Sequence, residues 1–124
     1  MSVSLEQLFA GEKFTVCEIK IDGLSTLRKF TESLTKDQIA VMVSLVRHIA
    51  KNGLPHNPSR FTHEEDGIYA LKDVPQQVRI YCFFERERVI LLTNGVIKKK
   101  QKADPEDLKR AKDLRRIYRQ EMGE

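Results

Sequence analysis

The sequence has few of the features that mark membrane, secreted or metal-dependent proteins. No apolar run approaches the roughly 18 residues that a membrane-spanning helix needs. Cys17 and Cys82 lie in strand-like runs and lack metal-ligand spacing, so we expect reduced, buried thiols. The first residues, MSVSLEQLFAGEKF, carry acids and no apolar core of the secretory type. We therefore expect a cytoplasmic protein that uses no cofactor or metal and does not enter a membrane.

Familiar catalytic arrangements are also missing. There is no Ser/His/Asp arrangement, phosphate-binding glycine loop or metal-ligand cluster. His48 lies in a strong helical pattern near its apolar face, where a structural role is expected. His56 and His63 fall in a polar loop, and their placement relative to a site does not follow from the sequence. The neighbouring acids Glu64, Glu65 and Asp66 are typical of a solvated turn.

Positive charge is concentrated in the last third of the chain. The 124 residues indicate one domain, and 40% hydrophobic with 32% charged residues is ordinary for a globular protein. Residues 1–85 hold 10 Lys/Arg and 11 Asp/Glu, whereas residues 86–124 hold 12 Lys/Arg and 7 Asp/Glu. This asymmetry favours an anionic partner, namely nucleic acid, an acidic protein or lipid headgroups.

The chain pattern predicts a single α+β domain. β-branched and aromatic residues predict a strand over 14–21, and Ser25 is a candidate cap for a short helix that runs through Leu34. Thr35 and Gln38 form a capping box for a strong helix that ends near Gly53. Its expected apolar face consists of Ile39, Met42, Val43, Val46, Ile49 and Ala50.

The second half predicts three strands and a final helix. Residues 54–67 read as a loop, residues 67–72, 77–85 and 88–97 as strands, and Asp104 with Pro105 as the start of a helix. The last two strands are close enough to form a hairpin. The order is strand, two helices, three strands, helix. We assign residues 1–13 to an N-terminal extension and residues 14–124 to the folded domain.

Lysines are clustered between the last strand and the last helix. Lys98, Lys99, Lys100 and Lys102 follow the strand without interleaved acids. A solvated charge run is one interpretation. Because the cluster adjoins the sheet, the rim of a phosphate-binding face is another, in which each neutralised phosphate releases counterions.

The strand VRIYCFF supplies further candidates. Alternation places Arg79 and Tyr81 on one face and the more core-like Ile80, Cys82 and Phe84 on the other. We therefore expect Arg79 and Tyr81 on an open face beside Lys72, able to hold a phosphate and stack a base. Alternatively, Arg79 forms an ion pair with a nearby acid such as Glu85 or Asp73.

These segments resemble motifs of the RelE/HigB toxin superfamily, and most closely its phage-derived HigB-like branch. The motifs here are GIYALK, RIYCF and NGVIKKKQKADP, in that order, and the resemblance covers about residues 14–120. It implies a RelE-like α+β fold with a twisted, mostly antiparallel sheet. It also implies an endoribonuclease that cleaves mRNA, usually in the ribosomal A site, and a cognate antitoxin, often a helix-turn-helix protein.

The resemblance also implies roles for individual residues. Arg79 matches the arginine that holds the scissile phosphate. Lys98, Lys99 and Lys102 match basic residues that grip the RNA backbone, and Lys98 and Lys99 are expected to assist charge stabilisation. Contacts with RNA are expected from Lys72, Tyr81, Lys100 and Lys102. Ala70 and Lys72 stand where the pattern has Glu and Arg, and Asn94 stands where His is common. The expected site is therefore rich in positive charge and poor in proton-transfer groups.

The alternatives to a ribosome-dependent mRNA interferase belong to other classes. One is a non-catalytic, prophage-derived nucleic-acid-binding module. The other is a protein-interaction domain whose basic surface meets only an acidic partner. An adjacent gene for a small helix-turn-helix protein would favour the toxin.

Overall fold

The strands form one open sheet. The computed structural model describes residues 1–98 and 102–122. In chain order, these residues contain β1 (Val3–Ala10), β2 (Thr15–Ile21), β3 (Leu24–Ser25), α1 (Arg28–Glu32), α2 (Lys36–Asn52), β4 (Phe61–Glu65), β5 (Ile68–Asp73), β6 (Val78–Glu85), β7 (Val89–Ile97) and α3 (Pro105–Glu121). The sheet order is β1-β2-β7-β6-β5-β4, with β3 paired to β2. Strands β2 and β7 are parallel and the other pairs are antiparallel, so the predicted α+β class with a mostly antiparallel sheet is confirmed.

Helix α2 forms as the sequence predicts, with a small rotation of its buried face. The Thr35 hydroxyl accepts a hydrogen bond from the Gln38 amide, and the Gln38 side chain accepts one from the Thr35 amide. Gly53 ends the helix with a positive φ of 93°. The buried residues are Met42, Leu45, Val46, Ile49 and Ala50. Two residues of the expected apolar face, Ile39 and Val43, are instead 43% and 39% exposed.

Helices cover both faces of the sheet. On one face, α2 and the residues before and within α1 pack on alternate residues of the central strands, including Val16, Leu71, Ile80, Cys82, Ile90 and Leu92. On the other, α3 packs on Cys17, Ile19, Ile68, Ala70, Tyr81, Phe83 and Leu91. The sheet therefore has apolar packing on both sides, and the expectation of an open face that carries Arg79 and Tyr81 is wrong.

Strand pairing extends beyond the predicted order at both edges of the sheet. β1 pairs with β2 along its length, with a bulge between Gln7 and Phe9. The following turn is held on α2, because the amides of Lys13 and Phe14 both donate to the Ala50 carbonyl at 2.9 and 3.0 Å. At the other edge, β4 pairs with β5, so the prediction of a loop over residues 61–65 is wrong.

The second half of the chain follows the sequence prediction closely. β6 and β7 form the expected hairpin, in which Glu87 and Arg88 adopt positive φ angles of 61° and 62°. Asp104 caps α3 by accepting from the Glu106 amide at 2.9 Å, and Pro105 opens the helix. Its buried residues are Leu108, Ala111, Leu114 and Tyr118.

Two further observations concern the state of the cysteines and the length of the helices. Both thiols are free and buried, as predicted, and burial raises the pKa of Cys82 to about 12. No helix in the described ranges is long and apolar enough to cross a membrane.

Candidate nucleic-acid interface

Lys72 and Arg79 form the buried part of a basic cluster near the start of α3. They are Cα partners in the β5–β6 pairing, as the register of the two strands requires. Lys72 is 7% exposed and Arg79 is 5% exposed, so neither side chain lies on an open sheet face. We use "basic cluster" for Lys72, Arg79, Lys98 and Lys102.

The electrostatics of Lys72 reflect this crowding. Burial lowers the pKa of the Lys72 ammonium, and the neighbouring Arg79 guanidinium lowers it further. The Glu64 carboxylate acts in the opposite direction but does not reverse the shift. Two cations held close together with little solvent are stabilised when an anion approaches, and a phosphate group is such an anion.

Tyr81 lies deeper than the sequence suggested. It is fully buried and belongs to the apolar cluster beneath α3, so its ring is packed in the protein and is not presented for base stacking. Burial raises the pKa of the Tyr81 phenol, while the adjacent Arg79 partly opposes this shift. The expectation that Arg79 and Tyr81 share an open face is wrong because α3 covers that side.

The lysines after β7 lie at the rim of the cluster. The Lys98 amide donates to the Gln77 carbonyl at 2.8 Å, and its Nζ lies 3.9 Å from Asp104 Oδ2. The Lys98 side chain is 14% exposed, whereas Lys102 is exposed. Lys99 and Lys100, which the sequence also assigns to this site, lie outside the described residues.

Asp107 is a carboxylate that sequence reasoning did not place in the site. It lies half-buried in the first turns of α3, where burial raises its pKa and repulsion from Asp104 raises it further. Lys98 and Arg79 lower the same pKa, which shows that Asp107 is electrostatically coupled to the basic cluster. The available signal was its position three residues after the cap of a helix that follows the lysine run.

Asn94 connects β7 to this turn of α3. Its Nδ2 donates to the Asp107 carbonyl at 3.2 Å, and its Oδ1 accepts from the Thr93 hydroxyl at 2.8 Å. These contacts use both ends of the amide and fix its orientation. Asn94, which stands where His is common in the RelE/HigB pattern, therefore anchors the start of α3 to the sheet.

Clefts lie on both sides of the first half of α3. The β4–α3 cleft, about 560 Å³, is lined by Glu64, Glu65, Lys102, Ala103, Pro105, Leu108, Lys109, Lys112 and Asp113. The α1–α3 cleft, about 470 Å³, is lined by Ile21, Leu24, Ser25, Thr26, Arg28, Lys29, Phe30, Asn94, Gly95, Asp107 and Arg110. Lys102 of the basic cluster thus lines the first cleft and Asp107 lines the second.

The acids proposed as alternative partners of Arg79 have other contacts. Glu85 lies 3.6 Å from Arg119, and the Asp73 carboxylate accepts from the Gln76 amide at 2.9 Å. The predicted solvated turn also has a structural role, because Glu65 pairs with Lys112 and Asp66 with Arg115 of α3. These pairs fasten the β4–β5 hairpin to α3.

The histidines do not assemble a catalytic group with these residues. His63 packs against Tyr69 with ring centroids 4.9 Å apart, and its Nε2 accepts from the Gly67 amide at 3.3 Å. His48 is exposed and its Nδ1 lies 3.1 Å from Asn52 Nδ2. Across residues 1–98 and 102–122, no group of three or more His, Cys, Asp or Glu side chains is arranged to hold a metal ion.

Comparison with known families gives a match that spans the site. Residues 29–116 match the family model described as "Phage derived protein Gp49-like (DUF891)". The match runs from α1 into α3, covers well over half of the chain, and includes every residue of the basic cluster. A search of curated proteins finds no match.

Proposed function

Because the chain belongs to the Gp49-like family of phage-derived proteins, we propose that it is the toxin of a toxin–antitoxin pair and that it cleaves mRNA on the ribosome. The observation that carries the proposal is the basic cluster at the start of α3. Lys72 and Arg79 are held together in the protein, and Lys98 and Lys102 extend the positive charge to the surface. The sequence adds Lys99 and Lys100 to the same segment.

The reaction that suits such a cluster is transesterification of RNA. The 2′-oxygen of one nucleotide loses its proton and attacks the adjacent phosphorus, and the bond to the 5′-oxygen breaks. The leaving 5′-oxygen takes a proton from water, so that a 2′,3′-cyclic phosphate and a 5′-hydroxyl result. Negative charge grows on the phosphate oxygens as the new bond forms. Arg79, Lys98 and Lys99 are assigned to stabilise that charge, and Lys72, Lys100 and Lys102 to hold the RNA backbone.

The burial of Arg79 sets a condition on this mechanism. With 5% of its surface exposed, the guanidinium meets a phosphate only after neighbouring side chains are displaced. Lys102 is exposed and requires no such displacement, and Lys98 is partly exposed. We assign first contact with RNA to the rim lysines, and contact with Arg79 to a later step.

Asp107 supplies a candidate for proton transfer. A carboxylate with a raised pKa is a better base than an ordinary one and is deprotonated more readily than lysine or tyrosine at neutral pH. Tyr81, fully buried with a raised pKa, is poorly suited to this role. We propose that Asp107 accepts the proton of the 2′-hydroxyl once RNA is bound.

The burial of Arg79 also favours one alternative, a nucleic-acid-binding module in which the rim lysines bind RNA without cutting it. Induced expression in a bacterial host distinguishes the two. If the protein is a toxin, expression should arrest growth, and co-expression of a helix-turn-helix protein encoded by the adjacent gene should relieve the arrest. Binding without cleavage predicts RNA affinity without arrest, and a purely protein-binding domain predicts neither.

Charge reversal at the rim tests the role of the lysines. Replacing Lys98 and Lys102 by Glu is expected to abolish growth arrest and RNA binding. Because the change at Lys98 places a carboxylate beside Asp104, a modest loss of thermal stability is expected as well. A matched control, Lys109→Glu with Arg116→Glu, changes net charge equally at exposed positions of α3. If about four lysines engage single-stranded RNA, log K falls with log salt at a slope of roughly −3. Equal loss in both variants would show that net charge alone matters.

We propose that the antitoxin neutralises the protein by covering the basic cluster or displacing α3. The helix combines a buried apolar side with exposed cations such as Lys109, Arg110 and Arg116. Hydrogen exchange on a co-purified complex should show protection or exposure centred on residues 102–116. Changes confined to α2, away from the basic cluster, would contradict this mode of inhibition.

A further inference from the structure

The clefts on the two sides of α3 differ in charge balance. In the β4–α3 cleft, Lys112 pairs with Glu65 and Lys109 with Asp113. In the α1–α3 cleft, Arg28 reaches Glu32 at 3.4 Å. Lys29 and Arg110 form no ion pair within residues 1–98 and 102–122. The second cleft therefore has an excess of positive charge, with Arg28, Lys29 and Arg110 against the single carboxylate of Asp107 among its lining residues.

An aromatic ring and an oriented amide line the same cleft as those cations. The Phe30 ring packs directly over Gly95, where an added Cβ would lie 2.4 Å from the ring. Asn94 lines the same cleft with its amide fixed between Thr93 and Asp107. A planar apolar surface beside polar groups and free cations suits a nucleotide, because the base stacks and the phosphates are neutralised.

The cleft is electrostatically connected to the basic cluster. Asp107 lines the cleft, and its carboxyl group is influenced by both Lys98 and Arg79. Gly95 of β7 also lines the cleft, and Lys98 follows it by three residues, roughly 10 Å at about 3.4 Å per residue. A nucleotide next to a phosphate bound at Lys98 can therefore reach the cleft. The β4–α3 cleft, lined by Glu64, Glu65 and Asp113, offers no comparable excess of positive charge.

We propose that the α1–α3 cleft is a nucleotide subsite for single-stranded RNA. Lys29 and Arg110 hold phosphates and Phe30 receives a base. This assignment rests on the proposed function, since it names where RNA next to the cleaved bond is held. An acidic protein segment is the competing occupant of a positively charged cleft, and the test separates the two.

Binding of a fluorescent ten-nucleotide RNA, 2′-O-methylated throughout to block cleavage, tests the subsite. Lys29→Ala with Arg110→Ala should weaken binding about tenfold and reduce the salt slope by about 1.4, from about 0.7 for each of two phosphates. The control, Lys109→Ala with Arg116→Ala, removes the same charge from α3 and should change affinity less than about threefold. A 4-thiouridine in the same oligonucleotide should cross-link to residues 24–30 or 94–95.

The outcomes separate the subsite from the function. If the wild type binds the RNA but the cleft variant and the control bind equally well, the subsite is wrong and the function stands. If the wild type binds no RNA, both are wrong. If the cleft variant loses affinity for polyglutamate while keeping its affinity for RNA, the cleft belongs to an acidic partner and the subsite is overturned.

Discussion

Lys72 and Arg79 lie opposite each other on β5 and β6 with little access to solvent. Burial and repulsion both disfavour the charged form of Lys72 and lower its pKa. Such an arrangement costs folding free energy and is typical of sites where charge serves a ligand, since proteins commonly trade stability for function. In the proposed function, this pair of cations serves to bind a phosphate of RNA.

Replacing Lys72 by Met tests that cost. Met keeps the length of the side chain and removes the charge, so the free energy of unfolding at pH 7 should increase by about 1 kcal/mol. RNA affinity should fall at the same time. Denaturant unfolding and RNA titration on the same preparations measure both quantities, and a strongly destabilised variant would show instead that Lys72 is a structural ion-pair partner.

The difference in unfolding free energy between the Lys72→Met variant and the wild type should change with pH in a defined direction. Because the folded pKa of Lys72 lies below its unfolded value of 10.5, the unfolded state binds more protons in the window between them. The contribution of Lys72 to the free energy of unfolding of the wild type therefore becomes more favourable as pH rises through that window. The advantage of the Met variant should shrink between pH 7 and about 10.5, while other groups titrate equally in both proteins. A difference that grows with pH would contradict the assigned shift.

Part of this site follows from the sequence and part does not. The strand register that brings Lys72 beside Arg79 follows from the alternation and order of β5 and β6. The burial of Arg79 and Tyr81 does not, because an antiparallel sheet commonly leaves one face open. Placing α3 on that face requires tertiary contacts. Asp107 was missed for the same reason, since only docking of α3 brings it to the cluster.

At the scale of elements, β1 and β4 show where local patterns fail. The bulge between Gln7 and Phe9 breaks the alternation that would have marked β1. β4 is short and polar, carries Phe61 as its main apolar contact, and follows a proline-containing loop. Edge strands depend on pairing with a neighbour more than on their own composition, so their sequences carry a weak signal.

Removing residues 2–12 tests whether β1 is part of the domain. The strand pairs along β2, and Phe9 packs against the core beneath the Arg47 guanidinium, whose carbon lies 5.0 Å from the ring centroid. We expect a lower melting temperature and concentration-dependent aggregation, because β2 would become an exposed edge. Thermal unfolding with light scattering measures both. An unchanged melting temperature would support a dispensable extension.

The packing of α1 on β7 is expected to depend on Gly95. A methyl group there would meet the Phe30 ring at 2.4 Å, so Gly95→Ala should destabilise the protein by about 1–3 kcal/mol. Combining it with Phe30→Leu should cost less than the sum of the two single changes. Denaturant unfolding of all three variants gives the coupling energy, and additive costs would show that the ring does not respond to the added group.

At the scale of the whole molecule, the two faces of the sheet pack against different helices. One face packs against all the buried residues of α2, and the other packs against α3, whose first turns lie beside the basic cluster. The excess positive charge of the last third of the chain is thereby held near a rigid sheet. Charge on a fixed surface positions an RNA backbone better than charge on a flexible tail, because less freedom is lost on binding.

The most direct test of the account is cleavage of one transcript with and without translating ribosomes. General acid–base catalysis accelerates a reaction by about 10²- to 10⁴-fold, and in-line positioning of the reacting groups can contribute more. With Asp107 as the main candidate base and Arg79 buried, positioning must come largely from mRNA held on the ribosome. We expect cleavage at least about 100-fold faster on ribosomes, with 2′,3′-cyclic phosphate ends, and its loss in Lys98→Glu with Lys102→Glu. No cleavage in either condition, or equally rapid cleavage in both, would contradict ribosome-assisted cleavage by this site.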